Sequence, residues 1–310
     1  MSAKQPQTAI VWLRTIPPER GVVLALLALA LLLWWGALAS FPRPVEVTVF
    51  AVGDGNAVLV RTPGGHTVLI DGGSRNTPDV GQQVLMPNLL LRGIHRLDAI
   101  IVSHPDSDHL NGLATVMDTL PVNLLVESAV PDNTNAYLQM EAVADHHHIP
   151  RRVAVAGDRL SLGDHVTLDI LAPGPVLLAN SASDTNNNSI VCLLTYQHAS
   201  LLFTGDLEEA GEEALLARGS NIQAQVILVA HHGSRHGSST AFLAAVHPTL
   251  AIISTQGGPH TGLPHPDALA RLRTAGISVW RTDVYGQIAL TTTGTQWRLQ
   301  TFLTGDSTEP

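Results

Sequence analysis

The sequence predicts an α/β protein in which paired strands and strand-helix units follow one membrane-spanning helix. Three observations support this prediction. An uncharged apolar run covers 21–41. Short apolar segments, bounded by turn residues, alternate with helical patterns through the rest of the chain. Clusters of polar residues follow several of these segments, and loops at the ends of buried strands are where functional groups concentrate.

The chain has 310 residues, enough for one domain of about 250 residues and a further segment. We expect an N-terminal segment at 1–20, a transmembrane helix at 21–41, one large domain at 45–303 and a tail at 304–310. The net charge of −9 excludes a global attraction to nucleic acid. A polyanionic ligand would therefore be held locally, by metal ions and a few arginines.

The run 21–41 contains 21 residues without a charge, and about 20 such residues span the hydrocarbon core of a bilayer. It is long for the core of a signal peptide, and the flank that begins at Pro42 lacks a convincing small-x-small cleavage site just before it. A signal peptide and a buried core helix are the alternatives. Lys4, Arg14 and Arg20 precede the run. By the positive-inside rule, the large domain lies on the extracytoplasmic side of the inner (cytoplasmic) membrane.

Hairpin strands begin the large domain, and a Gly-Asp-Gly-Asn turn at 53–56 joins the first two of them. The first half is predicted to contain strands at 45–52, 57–61, 67–70 and 97–102, with a helix at 79–91 interrupted at Pro87. The second half is predicted to contain helices at 110–120, 136–147, 207–218, 242–246 and 267–275, a polar loop at 181–189, and strands at 122–126, 152–155, 166–171, 190–196, 200–204, 226–230, 250–254, 278–281 and 287–291.

The densest polar cluster follows the strand at 97–102 and contains His104, Asp106, Asp108 and His109. All four side chains can bind a metal ion. A polar turn that leads into a helix N-cap is the alternative, but capping explains a serine or an aspartate and not two histidines. The cluster therefore predicts a metal site at the end of a buried strand.

Further polar clusters follow other strands, at 186–189, 205–206 and 231–234. Strands of stacked sheets can bring such clusters to one edge. A single carboxylate such as Asp206 can then bridge two metal ions about 3.5–4 Å apart. Asp71 also ends a strand, before two glycines, and is interpreted as structural, with a place facing the site as the alternative.

The order His-x-Asp-x-Asp-His, an Asn-Ser loop, Thr-Gly-Asp and His-His-Gly-Ser resembles the metallo-β-lactamase fold superfamily over about residues 45–300. This resemblance implies a four-layer αββα sandwich. Asp106 stands where the superfamily usually has a second histidine, and Asn188 where it often has another. These departures, the glycine turn at 53–56 and the apolar run resemble the C-terminal region of the ComEC family of competence proteins. That family forms the inner-membrane channel for DNA uptake, and its C-terminal domain is proposed to degrade the strand that is not taken in.

The resemblance implies two divalent metal ions, with the ligands His104 and Asp106 on one ion, Asp108, His109 and His231 on the other, and Asp206 as the bridge. The oxygen ligand at Asp106 favours Mn²⁺, with Zn²⁺ as the alternative. Water activated by the two cations would attack a phosphodiester. The predicted catalytic residues are Asp108, His232 and His265, of which the two histidines would donate a proton or contact phosphate. The predicted substrate contacts are Asn188, Ser234 and Arg235.

Three functions are compatible with these predictions. The first is a membrane-tethered, metal-dependent phosphodiesterase or nuclease that degrades DNA during uptake, with DNA, the membrane and other parts of an uptake channel as its partners. The second keeps the fold and hydrolyses a small phosphodiester, a lactone or a thioester. The third is a non-catalytic domain of the channel, which the departures at Asp106 and Asn188 favour.

Overall fold

The computed structural model describes residues 18–39, 43–258 and 261–303. The chain divides into two compact units between residues 42 and 43. The first unit contains helix α1, Pro18–Ala39. The side chains of α1 are described from residue 19 to residue 34. Among the described residues, no helix is both long and apolar enough to cross a membrane. The predicted span therefore finds no support there. The predicted tail at 304–310 and most of the predicted segment 1–20 lie outside the described residues.

Two β-sheets form the centre of the second unit. Its strands are β1 (Val45–Val49), β2 (Val58–Arg61), β3 (Thr67–Ile70), β4 (Ala99–Val102), β5 (Leu125–Glu127), β6 (Arg151–Val153), β7 (Arg159–Ser161), β8 (Val166–Ala172), β9 (Val191–Tyr196), β10 (Ala199–Phe203), β11 (Val226–Leu228), β12 (Leu250–Ile253), β13 (Ser278–Arg281), β14 (Ile288–Thr292) and β15 (Trp297–Thr301). One sheet has the strand order β15-β14-β1-β2-β3-β4-β5-β6, and the other has the order β13-β12-β11-β10-β9-β8-β7.

The helices of this unit are α2 (Met86–Leu91), α3 (Ser107–Leu110), α4 (Leu113–Thr119), α5 (Asn135–His146), α6 (Asp184–Asn187), α7 (Glu209–Ala217), α8 (Thr240–Val246), α9 (Pro266–Thr274) and α10 (Thr282–Tyr285). The outer face of the first sheet is covered by α2, α4 and α5, and that of the second sheet by α7, α8 and α9. A π-helical turn at Gly81–Leu85 precedes α2, and a 3₁₀ turn at Ala230–Gly233 follows β11.

Buried side chains form three layers around the two sheets. Val60 of the first sheet and Phe203 of the second belong to the cluster between the sheets. Leu59, the neighbour of Val60, belongs to the outer cluster that α4 and α5 cover. Successive side chains of a strand point to opposite faces, so a strand buried on both faces is apolar throughout. A third cluster lies between the second sheet and α7, α8 and α9. The predicted four-layer αββα sandwich is therefore confirmed.

Parallel strands in both sheets position the functional loops. Strands β3, β4, β5 and β6 run parallel in the first sheet, and β10, β11, β12 and β13 run parallel in the second. The loops at the carboxyl ends of β4, β10 and β11 supply one group of neighbouring polar side chains. The polar clusters predicted from the sequence therefore meet at one edge of the sandwich.

Two predicted elements differ from the observed ones, and one short strand was not predicted. The helix at 79–91 is not interrupted at Pro87, because the π-helical turn leads directly into α2 and the proline lies in the first turn of that helix. There its missing N–H group would have had no helical partner. The polar loop at 181–189 contains the short helix α6, which the Ser183 side chain caps. The short strand β7 was not predicted from the sequence.

Candidate metal centre

The loop after β4 carries the first polar cluster directly into helix α3. His104 and His109 are fully buried, and Asp108 is almost so. The Asp106 side chain, just before α3, remains 45% exposed. Two histidines and an aspartate buried in one short segment are costly unless they have partners, since burial removes their contacts with water. Their partners come from the loop after β3 in the first sheet and from loops of the second sheet.

Asp206 reaches this cluster through a tight turn after β10. Gly205 has a φ of 52°, and a Cβ atom there would lie 2.9 Å from the Cβ of Ser189 and 3.0 Å from that of Ser103. Glycine is required at this position both by the backbone angle and by the close approach. The turn places Asp206 Oδ1 3.0 Å from His109 Nε2.

The two histidines after β11 point in different directions. His231 and His232 have φ values of 49° and 53°, in the left-handed region. His232 is buried, with Nδ1 3.1 Å from the Ser254 carbonyl and Nε2 3.5 Å from Asp108 Oδ2. His231 is partly exposed, and its Nδ1 lies 3.1 Å from Glu208 Oε1.

Asp108, His109, Asp206 and His232 form what we call the donor group. Each offers one ligand atom, and these atoms all lie within 4.8 Å of one another. His232, predicted as a catalytic residue, belongs to this group, whereas His231, predicted as a ligand, does not. The left-handed turn sends the two imidazoles to different sides, and Glu208 contacts Nδ1 of His231. His231 Nε2 still lies 3.7 Å from Asp206 Oδ2, and its role as a ligand stays a prediction.

Buried atoms without hydrogen-bond partners mark the centre of this cluster. They include Nε2 of His104, His109 and His232 and Oδ1 of Asp206, none of which makes a well-aligned hydrogen bond. His109 Nε2 and Asp206 Oδ1 face each other as an ion pair at 3.0 Å. Buried polar groups without well-aligned partners are rare because each costs free energy. Nitrogen and oxygen donors of this kind suit a divalent transition metal. Ligands about 2.0–2.2 Å from one ion lie no more than about 4.4 Å apart, so the donor atoms, which lie within 4.8 Å of one another, need to move together only slightly to bind one. The residues present therefore fit a divalent metal ion.

A second position adjoins the donor group. His104 Nε2 lies 3.5 Å from Asp106 Oδ2 and 3.9 Å from Asp206 Oδ2. These three residues are candidates for a second ion, in which case Asp206 would be shared between both positions. The structure brings these three side chains together, and their roles as ligands and bridge stay predictions.

Asp71 orients His109. Its Oδ2 lies 2.8 Å from His109 Nδ1, and its two oxygens accept hydrogen bonds from the backbone N–H and the hydroxyl of Ser103. A proton held on Nδ1 leaves the Nε2 lone pair free for a metal ion, as in carboxylate-histidine-metal arrangements. The structure thus supports the alternative in which Asp71 faces the site.

Opposite charges keep the cluster ionised despite its burial. Burial disfavours the charged form of Asp206, but His109 and His232 outweigh it and hold the pKa of this carboxyl well below its usual value. The pKa of Asp108 is lowered in the same way against its burial, by His232 and His109. The pKa of His109 is raised against its burial by Asp206 and Asp71. Without a metal ion, this proton balances part of the carboxylate charge.

The glycine turn at 53–56 joins the two halves of the site. Asn56 N donates to the Asp108 carbonyl, at 3.1 Å. The Ser254 hydroxyl donates to the Gly55 carbonyl at 2.7 Å, and the Ser254 carbonyl holds His232. Asp54 accepts from the Thr255 hydroxyl at 2.9 Å. The turn therefore fixes two members of the donor group relative to each other.

Asn188 does not face the donor group, which corrects the prediction that it contacts substrate. Its Oδ1 accepts from Leu178 N at 2.8 Å, and its Nδ2 donates to the carbonyls of Leu178 and Asp184. These backbone contacts use the amide to fold the loop. Asn186 is the amide near the site, with Nδ2 3.3 Å from Glu208 Oε1 and 3.4 Å from His231 Nδ1.

The remaining predicted residues surround the donor group without joining it. Ser234 Oγ accepts from the backbone of His236, and Arg235 is exposed. His265 Nδ1 accepts from Asp267 N at 3.1 Å and caps α9. Substrate contact by Ser234 and Arg235, and proton donation by His265, remain predictions.

Arg75 and Glu208 are contacts of the site that the sequence did not reveal. Arg75 Nη2 donates to Asp108 Oδ2 at 2.7 Å, and Glu208 binds His231. Arg75 lies in a loop without a motif, so no pattern marks it. Glu208 lies two residues after Asp206, near the turn that follows β10. This closeness to Asp206 was the only feature of the sequence that indicated a place for Glu208 at the site.

The fold and the donor group define a protein of the metallohydrolase type. The chain belongs to the metallo-beta-lactamase superfamily, whose family model matches residues 51–257. It is similar to competence protein ComA of Neisseria gonorrhoeae, with 32% identity over 309 residues that cover 90% of this chain and 41% of the relative. It is also similar to ComE operon protein 3 of Bacillus subtilis, with 30% identity over 259 residues that cover 78% of this chain and 32% of the relative.

These relatives confirm the predicted resemblance to the ComEC family of competence proteins. The chain spans less than half the length of each of the two. Among solved structures, the metallo-beta-lactamase fold protein YhfI from Bacillus subtilis matches with a TM-score of 0.51 and 13% identity, over 83% of this chain and 100% of that one. At this identity the match shows the shared fold.

Proposed function

We propose that this chain is a metal-dependent phosphodiesterase that cleaves DNA during DNA uptake. The observation that carries the proposal is the donor group, in which four buried side chains bring ligand atoms within 4.8 Å of one another. The similarity to competence proteins supports DNA as the substrate. The half-exposed carboxylate of Asp106 marks the side of the site that is open to solvent.

The residues of the site divide into ligands and supports. Asp108, His109, Asp206 and His232 would hold one ion, and His104, Asp106 and the shared Asp206 the other. Bound divalent ions supply Lewis acidity and lower the pKa of water, which is the chemistry that phosphodiester hydrolysis needs.

The supports act through fixed hydrogen bonds. Asp71 holds the proton of His109 on Nδ1, and the Ser254 carbonyl does the same for His232. Glu208 and Asn186 fix the ring of His231 beside Asp206. These groups keep the imidazole edges directed at one point, so little reorganisation is needed when substrate binds.

The test is cleavage of DNA by the full chain, purified in detergent and loaded with Mn²⁺ or Zn²⁺. Labelled single- and double-stranded DNA should be degraded, and Asp108→Asn should reduce the rate by at least about a hundredfold, because a ligand of the ion is weakened. Asp169→Asn is the matched control, since Asp169 is a partly exposed carboxylate that pairs with Arg159. Metal-loaded protein that is inert on both DNA forms would refute the proposal.

A small phosphodiester, a lactone or a thioester is the second candidate substrate, which the net charge of −9 favours over a polyanion. Activity on a chromogenic phosphodiester or lactone with none on DNA would decide for it. A non-catalytic role requires a different result, namely protein that binds no metal and whose melting temperature is unaffected by chelators.

We also propose the cytoplasmic membrane as the location, with the domain from residue 45 onward on the extracytoplasmic side. The uncharged run at 21–41 and the basic residues before it support this orientation. The test is fractionation of cells followed by protease treatment of spheroplasts. Full-length protein in the soluble fraction, or a domain protected from protease in intact spheroplasts, would contradict the proposal.

A further inference from the structure

One arginine lies against the donor group. Arg75 Nη2 donates to Asp108 Oδ2 at 2.7 Å, while the Arg75 side chain is 55% exposed and that of Asp108 is 4% exposed. A guanidinium group has five N–H donors. Among the described residues, its hydrogen-bonded partner is Asp108 alone. The other N–H groups of the Arg75 guanidinium are therefore available to a ligand at the solvent-exposed side of the metal centre.

The backbone beneath Arg75 is held firmly. Its N–H donates to the Asp54 carbonyl at 2.7 Å. Ser74 is held on both sides by Asn111, whose side chain accepts from its N–H and donates to its carbonyl. A Cβ atom on Gly73 would collide with the backbone of Asp108 and His109. The loop therefore packs directly on α3, and the backbone of Arg75 is fixed beside the site.

Asp108 has a second contact besides Arg75, because His232 Nε2 lies 3.5 Å from its Oδ2. The contact between Arg75 and Asp108 uses the Nη2 group, and it leaves the other N–H groups of the guanidinium unoccupied. Arg75 can therefore bind a ligand without giving up its place beside the donor group.

Its chemistry suits an anionic substrate. Arginine pairs with phosphate oxygens through two parallel N–H groups and keeps its charge at all physiological pH values. The chain as a whole carries a charge of −9, so attraction of a phosphodiester depends on local positive charge. Within the described part of the chain, Arg75 is the arginine that contacts a member of the donor group. Arg235, predicted to play this role, contacts the Arg271 guanidinium through its carbonyl.

We propose that Arg75 binds the phosphate of the substrate at the metal centre and so selects phosphodiesters over uncharged esters. This inference rests on the proposed hydrolase function and adds the group that recognises substrate charge. Arg75 contacts one phosphate oxygen while the partner Asp108 stays with the donor group.

The test compares Arg75→Ala and Arg75→Lys with wild type, using the full chain in detergent. Arg159→Ala is the matched control, because Arg159 is an exposed arginine paired with a carboxylate in another part of the fold. Binding of inorganic phosphate to metal-loaded protein is measured by calorimetry, and metal content by mass spectrometry. Turnover of a chromogenic phosphodiester and of an uncharged chromogenic ester is measured in parallel.

Arg75→Ala should weaken phosphate binding and raise KM for the phosphodiester by about tenfold to a hundredfold, the range expected for a lost charged hydrogen bond. Arg75→Lys should recover part of this loss. Metal content and turnover of the uncharged ester should stay within about twofold of wild type, as should every property of the control.

Unchanged phosphate affinity and unchanged KM in Arg75→Ala would overturn the inference, even if the wild type cleaves phosphodiesters. A loss of phosphate binding that follows a loss of metal would also overturn it, because Arg75 would then act by holding Asp108. Conversely, wild-type protein that binds phosphate through Arg75 but cleaves no phosphodiester would support the inference and refute the proposed function.

Discussion

Replacing Asp71 with asparagine should weaken metal binding through a change of tautomer at His109. One carboxylate oxygen of Asp71 accepts from Ser103 N at 2.7 Å, and the other lies 2.8 Å from His109 Nδ1. In Asp71→Asn the amide oxygen must keep the backbone contact, so the amide nitrogen turns towards His109 Nδ1. The imidazole must then accept there and carry its proton on Nε2. That atom lies 3.0 Å from Asp206 Oδ1, where the ligand lone pair is needed.

Loss of a carboxylate that orients a ligating histidine typically costs about tenfold to a hundredfold in metal affinity, which corresponds to about 1.4–2.7 kcal/mol. We expect this loss for Mn²⁺ and Zn²⁺ in competition with a chromogenic chelator. Nitrogen NMR of labelled histidine should show the His109 proton on Nδ1 in the metal-loaded wild type and on Nε2 in the metal-free variant.

Asp98→Asn is the control for this experiment. Asp98 is a largely buried carboxylate that accepts from Thr67 N, and it precedes β4 at the end remote from the metal loop. Its substitution should leave metal affinity unchanged. Wild-type metal affinity in Asp71→Asn, or an equal loss in Asp98→Asn, would refute the orienting role.

Three further results are expected. His232→Ala should lower metal affinity by at least about tenfold, whereas His231→Ala should leave metal content unchanged, and the reverse order in elemental analysis would restore His231 as the ligand. Burial and the neighbouring carboxylate raise the pKa of Glu127 to about 7 in the folded protein. The stability that this proton contributes is fully present below the pKa of Glu127 in the unfolded chain and is lost as pH rises through 7. In urea unfolding, the free energy of unfolding of Glu127→Gln should therefore increase relative to that of wild type between pH 5 and pH 8. The increase should be less than about 3 kcal/mol because the carboxyl is partly exposed. A difference that is independent of pH would contradict this prediction. Burial raises the pKa of the Cys192 thiol, so a thiol reagent should modify it only after unfolding, and rapid modification of native protein would contradict its burial.

The position of most site residues could be predicted because strand ends are visible in sequence. The apolar runs before His104 and Asp206 end abruptly in polar residues, and carboxyl ends of parallel strands meet at one edge. The buried hairpin strands were equally visible, since their β-branched residues are unbroken. The four-layer αββα sandwich was predicted from the resemblance to the metallo-β-lactamase superfamily, and the three apolar clusters of the structure agree with it.

Side-chain direction could not be predicted. His231 and His232 are adjacent, and only the left-handed backbone decides which imidazole enters the donor group. Asn188 was predicted to contact substrate, yet its side-chain amide forms hydrogen bonds with backbone groups of Leu178, ten residues away. Arg75 acts across 33 positions of sequence, and contacts of that kind leave no periodic signal in a single chain.

The number of metal ions bound by each chain tests the central claim most directly. The full chain, loaded with Mn²⁺ or Zn²⁺ and freed of excess metal, is measured by elemental mass spectrometry together with protein concentration. Because Asp206 adjoins both His104 and the other members of the donor group, we predict two ions for wild type, one for His104→Ala and none for Asp206→Ala. Wild-type protein that retains no metal, or Asp206→Ala that retains both ions, would contradict a metal centre built around Asp206.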